Sequence, residues 1–481
     1  MLAGEVEIDL GELALGGGKH GIGIVAQDYA LFAFDQDLTP YGEQRFVQVG
    51  VFVFFGHWAK KIARDSPRPL QRQERSLCSL AGMKPGSYIA PNHSAALLPS
   101  CGCKSRSAMR RTFSLIPLGF AFVSAAFAQT PPAPVVSPEV HADNRVTFRF
   151  RAPNAKEVAL ALEGAPQDSA MQKDEHGVWS VTTEPLAPDF YGCAFVADGV
   201  HLIDPSNPLM KPNLLNTTSQ VHVPGPASLT WEVGDVPHGE VHHHFYKSAI
   251  VGDQRDFYAY TPPGYDPRGK QSYPVLYLLH GFSDDASGWT AVGRAHVILD
   301  NLIAQGKTKP MIVVMPLGYG APEILRGGFG AFRNTELRDR NFAKFSEALL
   351  REVLPRVEAA YLVNKDRNSR AIAGLSMGGS ESLLTGLNNV DKFAWIGAFS
   401  SGGLPEEFDK DFPGLNAKAN DELKLLWIAC GVDDRLIELN RQLRAWLEAK
   451  GVHKIDIETP GAHTWMVWRR NLSTFTPLLF R

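Results

Sequence analysis

The stretch Ala371-Ile-Ala-Gly-Leu-Ser-Met-Gly-Gly-Ser380 decides how the rest of the chain is read. It has the form of a short buried strand (Ala371 to Ala373), a serine bracketed by glycines, and a helix beginning near Gly378. Gly374-Leu-Ser376-Met-Gly378 fits a nucleophile elbow, a turn so tight that side chains two residues either side of the serine would clash. The following helix aims its free N–H groups and positive dipole end at the place where an oxyanion would form. A plain Gly-rich strand–helix turn has the same local form. The company that Ser376 keeps along the chain decides between the two.

From Tyr246 onward, buried strands alternate with helical segments, the rhythm of a mostly parallel sheet and an α/β fold. Tyr273 to Leu279, Met311 to Met315, Ala371 to Ala373, Trp395 to Phe399, Leu425 to Cys430 and Lys454 to Ile457 read as strands. Phe342 to Tyr361 and Arg435 to Lys450 carry apolar residues at helical spacing. Three stretches then fall where acyl-transfer chemistry needs them. His280-Gly-Phe282 follows a buried strand, and the expected oxyanion donors are the backbone N–H groups of Phe282 and of Met377, the residue after the nucleophile. Gly431-Val-Asp-Asp-Arg-Leu436 follows another strand and offers Asp433 and Asp434 as the acid. Pro460-Gly-Ala-His-Thr-Trp465 follows the last strand and offers His463 as the base. Serine, aspartate, histidine is the order of α/β-hydrolases. In that reading Ser376 attacks, His463 takes and returns its proton, and the aspartate orients the imidazole.

Taken together, Leu278-Leu-His-Gly-Phe282, Ala373-Gly-Leu-Ser-Met-Gly-Gly379, Ile428-Ala-Cys-Gly-Val-Asp-Asp-Arg-Leu436 and Gly461-Ala-His-Thr-Trp465 resemble the putative-esterase family over about residues 240–481. That family holds feruloyl and acetylxylan esterases, enterochelin-type esterases and mycolyltransferases. The resemblance implies an α/β-hydrolase fold. Its Gly-x-x-Asp-x-Leu pattern places the acid role on Asp434 and gives His280 the task of holding the loop. It also implies an acyl pocket lined by the Gly-rich segment from Gly318 to Phe332 and by Trp289, Phe329, Phe332 and Trp465. Any of these rings would serve equally as core.

Ahead of this half, short alternating runs (Arg145 to Phe150, Glu157 to Leu162, Val178 to Val181, Tyr191 to Val196, Gln220 to Val223) have the spacing of an all-β sandwich. Ala152-Pro-Asn-Ala-Lys-Glu-Val-Ala-Leu160, Gly177-Val-Trp179 and Phe190-Tyr-Gly192 resemble the immunoglobulin-like, early-set sandwich that accompanies many sugar-active enzymes. The expected module covers 136–233, with 234–241 as a linker and 242–481 as the esterase domain. Either it contacts glycan or it is a packing module that shapes one wall of the site. His242-His-His244 tempts a metal reading, but consecutive side chains of an extended chain point opposite ways, and no carboxylate or cysteine sits at ligand spacing. No metal and no cofactor are expected.

Residues 109–128 have the three parts of a secretory signal: Met109-Arg-Arg, an apolar run, and Ala126-Phe-Ala128. A Pro-rich tether, 129–135, follows. Residues 1–108 show no sustained period, and the apolar run Phe46 to Phe55 is too short to span a membrane. The expectation is that translation starts at Met109, that 1–108 are a spurious or disordered extension, and that the mature protein is periplasmic or secreted without stable membrane insertion.

A chain of 481 residues, 44% hydrophobic and formally −3, has room for a large core and gives no electrostatic case for nucleic acid. The five cysteines (78, 101, 103, 193, 430) make neither a zinc site nor a disulfide framework. The leading expectation is an exported serine ester hydrolase that removes feruloyl or acetyl groups from plant-wall polysaccharide. The alternatives are an enterochelin-type siderophore esterase, with Arg326, Arg333 and Arg338 as candidate cations, an acyltransferase, or a catalytically dead glycan-binding protein.

Overall fold

The computed structural model describes residues 134–404 and 407–481 and, earlier in the chain, the backbone of three strands. Those strands, His20–Val25, Ala30–Asp35 and Phe46–Gly50, form an antiparallel sheet. The sequence reading found no period there. In His20–Val25 the isoleucines alternate with glycines rather than polar residues, which blunts the usual signal. The signal segment 109–128, most of the tether, and Cys78, Cys101 and Cys103 lie outside the described residues.

Residues 139–223 form two antiparallel sheets. One runs Glu139–Val140, Val146–Arg151, Val178–Thr182, Gln172–Lys173; the other centres on Asp189–Ala197 between Val158–Leu162 and Thr218–Val223. Val146, Phe148, Leu160, Trp179, Phe195 and Val221 supply a shared buried core. This alternation places one face of each strand inside.

The rest is an eight-stranded sheet with helices on both faces. Its strands are β1 (Glu240–Lys247), β2 (Gln254–Thr261), β3 (Val275–Leu279), β4 (Ile312–Pro316), β5 (Arg370–Leu375), β6 (Trp395–Phe399), β7 (Leu425–Gly431) and β8 (Ile455–Thr459). The spatial order is β1-β2-β4-β3-β5-β6-β7-β8, antiparallel for the first two pairings after β1 and parallel from β4 onward. The central strands are buried along their whole length, as a sheet covered on both faces requires. Helices α1 (Ala295–Ala304), α2 (Thr335–Ala348), α3 (Met377–Leu387), α4 (Ile437–Ala449) and α5 (Trp465–Phe475) are the longer connections. The helix expected over Phe342 to Tyr361 starts earlier, at Thr335, and continues to Ala360 through a π-turn over Leu349–Val353, just before Pro355.

The linker was expected to end at 241, yet β1 begins at Glu240 and carries His242-His-His244. His243 stacks on Tyr258, 4.0 Å between ring centres, and bonds Asp256; His244 stacks on Phe257 on the other side. Among the described residues no group of three His, Cys, Asp or Glu side chains has the geometry to hold a metal ion. No helix of the described residues is long and apolar enough to cross a membrane. Cys193 and Cys430 are buried free thiols, pushed up to about 12 chiefly by burial.

Candidate active site

The loops after β3, β5, β7 and β8 meet at one end of the sheet, where ligands of open α/β sheets bind. Ser376, between β5 and α3, has φ 73° and ψ −106°. That region is costly for any residue but glycine, on the order of 1–3 kcal/mol. Ser376 is fixed there by its N–H to the Phe399 carbonyl and by the Gly402 N–H to its own carbonyl, both 2.9 Å. Gly378 has no alternative, since a Cβ would press on the carbonyls of Leu279 and His280.

His463 Nε2 lies 3.0 Å from Ser376 Oγ, and its Nδ1 lies 2.7 Å from Asp434 Oδ2. With the Nδ1 proton donated to the carboxylate, Nε2 is free to accept the serine proton. The Asp434 side chain is fully buried and takes the Leu436 N–H at 2.9 Å on its other oxygen. Burial works against its charge, but the His463 hydrogen bond and charge, the Leu436 N–H and the Ser400 hydroxyl outweigh it and hold the carboxyl below its ordinary range. Asp433 is exposed; it is its backbone N–H that is engaged, with the Gly461 carbonyl at 3.1 Å. Trp468 meets the His463 ring edge to face at 4.8 Å.

Met377 opens α3, so its N–H has no acceptor within the helix. Across from it, the loop after β3 comes close: the Cβ position of Gly281 is 3.4 Å from Ser376 Cβ, and Phe282 follows. His280 is buried and braces this loop. Its Nδ1 bonds the Gly281 carbonyl at 2.7 Å, and its Nε2 accepts the Gly318 N–H at 2.8 Å. Burial pushes it down to about 4, so the ring is a neutral strut. Beneath the site, Glu381 of α3 is buried with neither carboxyl oxygen partnered, and burial drives it well above the ordinary carboxylate range.

Of the expected pocket aromatics, two lie beside the loop after β3. Phe329 and Phe332 pack edge to face on Phe282, at 5.1 and 4.8 Å, and Phe329 is 63% exposed. Arg435, next to Asp434, lies over the Phe329 ring at 5.8 Å. Trp289 and Trp465 are a correction. Both are core, 0% and 3% exposed, packed edge to face at 5.2 Å, with the Trp289 indole N–H on the Leu279 carbonyl. They stand behind the catalytic loops and offer no wall to a ligand. Arg326 and Arg333 are exposed, while Arg338 is paired with Asp339.

Three residues of the β domain reach the same end of the sheet without any sequence signal. Asn213 Nδ2 donates to Ser283 Oγ at 2.9 Å and Asp284 Oδ1 at 3.2 Å, and the Leu214 N–H donates to the Ser283 carbonyl at 2.7 Å. Glu163 accepts the Trp465 N–H at 3.0 Å. The domain's aromatic rings, Phe148, Phe150, Trp179, Phe190, Tyr191, Phe195 and Trp231, are all buried or half-buried. It therefore presents no exposed ring on which a sugar could stack.

The sequence profile described as putative esterase matches residues 248–479. An endo-1,4-beta-xylanase/feruloyl esterase of Xylanibacter ruminicola is 32% identical over 355 residues, which is 72% of this chain and 46% of that protein. The chain thus spans less than half the length of that relative. An acetyl esterase of Caldicellulosiruptor saccharolyticus is 24% identical over 236 residues, 42% of this chain and 82% of its own length. Among solved structures, the enterobactin esterase of Shigella flexneri superposes with a TM-score of 0.52 at 20% identity, over 69% of this chain and 92% of that one. That likeness establishes a shared fold.

Proposed function

Residues 248–479 belong to the putative-esterase family, and on that premise we propose that the chain is a serine carboxylic ester hydrolase acting through Ser376, His463 and Asp434. The observation that carries the reading is the unbroken hydrogen-bond chain from Ser376 Oγ through both nitrogens of His463 to a buried aspartate. Ser376 Oγ attacks the ester carbonyl as its proton passes to His463 Nε2. The oxyanion is received by the N–H groups of Phe282 and Met377. The tetrahedral adduct collapses, and His463 returns the proton to the departing alcohol, leaving an acyl-serine. Water, deprotonated by the same nitrogen, then releases the acid and restores the serine.

The proposed substrates are feruloyl or acetyl esters of plant-wall polysaccharide. The rings of Phe282, Phe329 and Phe332 beside the oxyanion loop suit a flat aromatic acyl group, and the Xylanibacter relative is named for such a pairing with xylanase activity. Such a polymer is met outside the cell, in keeping with export from a start at Met109. The β domain, residues 136–233, is read as an early-set-like sandwich whose part is structural. A second reading is an ester of an anionic catechol siderophore. Exposed Arg435 over Phe329, with exposed Arg326 and Arg333 on the segment that carries that ring, favours it. The experiment compares turnover of methyl ferulate, acetylated xylan and a catecholate trilactone by the purified chain. Preference for ferulate or acetyl-xylan supports the first reading, preference for the trilactone installs the second, and inertness toward all three removes both.

A further inference from the structure

Helix α5 begins at Trp465, two residues after His463, and its N-cap Thr464 makes no side-chain cap. An uncapped first turn leaves N–H groups unsatisfied and the preceding loop loosely held. The missing acceptor comes from the other domain. Glu163, at the turn after strand Val158–Leu162, places Oε1 3.0 Å from the Trp465 N–H. Its Oε2 is itself fixed by the Gly192 N–H and by Lys211 Nζ, both 2.8 Å away, and the side chain is only 12% exposed. The next residue of α5, Met466, packs against the core of the β domain. Its methyl lies 2.8 Å from where a Cβ on Gly164 would stand, so the Glu163-Gly164 turn accommodates both.

We propose that Glu163, 302 residues before Trp465, is a positioning residue that sets the place of His463 by capping α5. The inference rests on the esterase reading of Ser376, His463 and Asp434. A carboxylate at a helix N-terminus also meets the positive end of the dipole, which strengthens the hold. Burial opposes the charge of Glu163, yet Lys211, the Trp465 N–H and Arg469 prevail and keep its carboxyl below the ordinary range, in its accepting form. The β domain thereby contributes to turnover without touching substrate. Reacting groups displaced by about 1 Å lose on the order of 100-fold in rate, so a small release of this loop is enough to be measured.

The test compares wild type, Glu163→Ala and Glu163→Gln in the full chain. One readout is kcat and KM on a small aryl acetate. The other is the rate at which a fluorophosphonate labels Ser376, which needs His463 and the oxyanion donors but no deacylation. Thermal melts and the labelled end-point report the folded fraction. Glu163→Ala is expected to lower kcat and the labelling rate together by about 10- to 100-fold, with KM little changed. Glu163→Gln keeps a carbonyl oxygen for the Trp465 N–H and is expected to recover part of the loss. Wild-type rates in folded Glu163→Ala, or equal impairment of both variants, would overturn the inference. So would a loss that only follows the folded fraction. A wild type that labels at Ser376 yet hydrolyses no ester would instead sink the esterase reading alone.

Discussion

Asp189 and Arg469 form an ion pair that neither side chain exposes to solvent, with Nη2 at 2.6 Å and Nε at 3.0 Å from Asp189 Oδ1. Asp189 opens the strand Asp189–Ala197 and Arg469 lies on α5, so the pair bolts the antiparallel sheets of residues 139–223 to the last α-helix of the eight-stranded sheet. The guanidinium also donates to the Val292 and Phe190 carbonyls. Removing the cation leaves the buried carboxylate with only the exposed Arg470 guanidinium, at 3.3 Å, and the Phe190 N–H as partners. Arg469→Met is therefore expected to cost about 3–5 kcal/mol in urea unfolding, and an unchanged transition would refute it.

The two neighbouring aspartates separate sharply. Asp434→Asn leaves the imidazole without the acceptor that fixes its tautomer, so kcat on an aryl ester should fall by about 10⁴-fold. Asp433→Asn, at an exposed position, should stay near wild type. Ser376→Ala should be the most severe, about 10⁶-fold, with the thermal melt preserved. A crippled Asp433→Asn would show that the acid has been misassigned.

Asp284, in the loop after Phe282, should add a contribution to stability that falls as pH rises. Burial raises its carboxyl from 3.8 to about 7, above its value in the unfolded chain. The folded state then binds more protons than the unfolded state across that interval. The group's contribution to stability is fully present below 3.8 and is lost as pH rises through about 7. Asp284→Asn should flatten this slope in a series of urea titrations at different pH. If the variant keeps the full wild-type slope, Asp284 does not titrate as described.

Phe329→Ala should raise KM for a feruloyl ester about fivefold, the worth of an aromatic contact of about 1 kcal/mol, and leave an acetyl ester nearly unaffected. Trp289→Ala should behave in the opposite way. It should cost about 3–5 kcal/mol of stability with no change in the ratio between the two esters. A shifted ratio in the tryptophan variant would return that ring to the pocket.

The elbow, the three loop motifs and the order of Ser376, Asp434 and His463 were legible because each sits directly after a strand and beside glycines. Local chemistry forces that spacing. β1 was not legible, because the edge strand Glu240-Val-His-His-His-Phe-Tyr-Lys247 is exposed on one face, only half-buried on the other through His242, His244 and Tyr246, and so lacks an apolar period. Trp289 and Trp465 misled for another reason: a ring near a catalytic loop can lie in front of the sheet or behind it, and composition does not distinguish the two. Glu163 and Asn213 gave no signal at all. Their partners are on the far side of a domain boundary, and a lone carboxylate or amide after a strand normally faces water.

The left-handed backbone at Ser376 bears on any attempt to toughen this protein. Glycine would occupy that turn with relief of about 1–3 kcal/mol of strain, more than the roughly 0.5–1 kcal/mol of added chain freedom it brings to the unfolded state. A library sorted for heat tolerance alone would therefore enrich glycine at 376 and yield a robust but inert protein. Selection on turnover has to run in the same round, because at this position durability and reactivity pull the sequence in opposite directions.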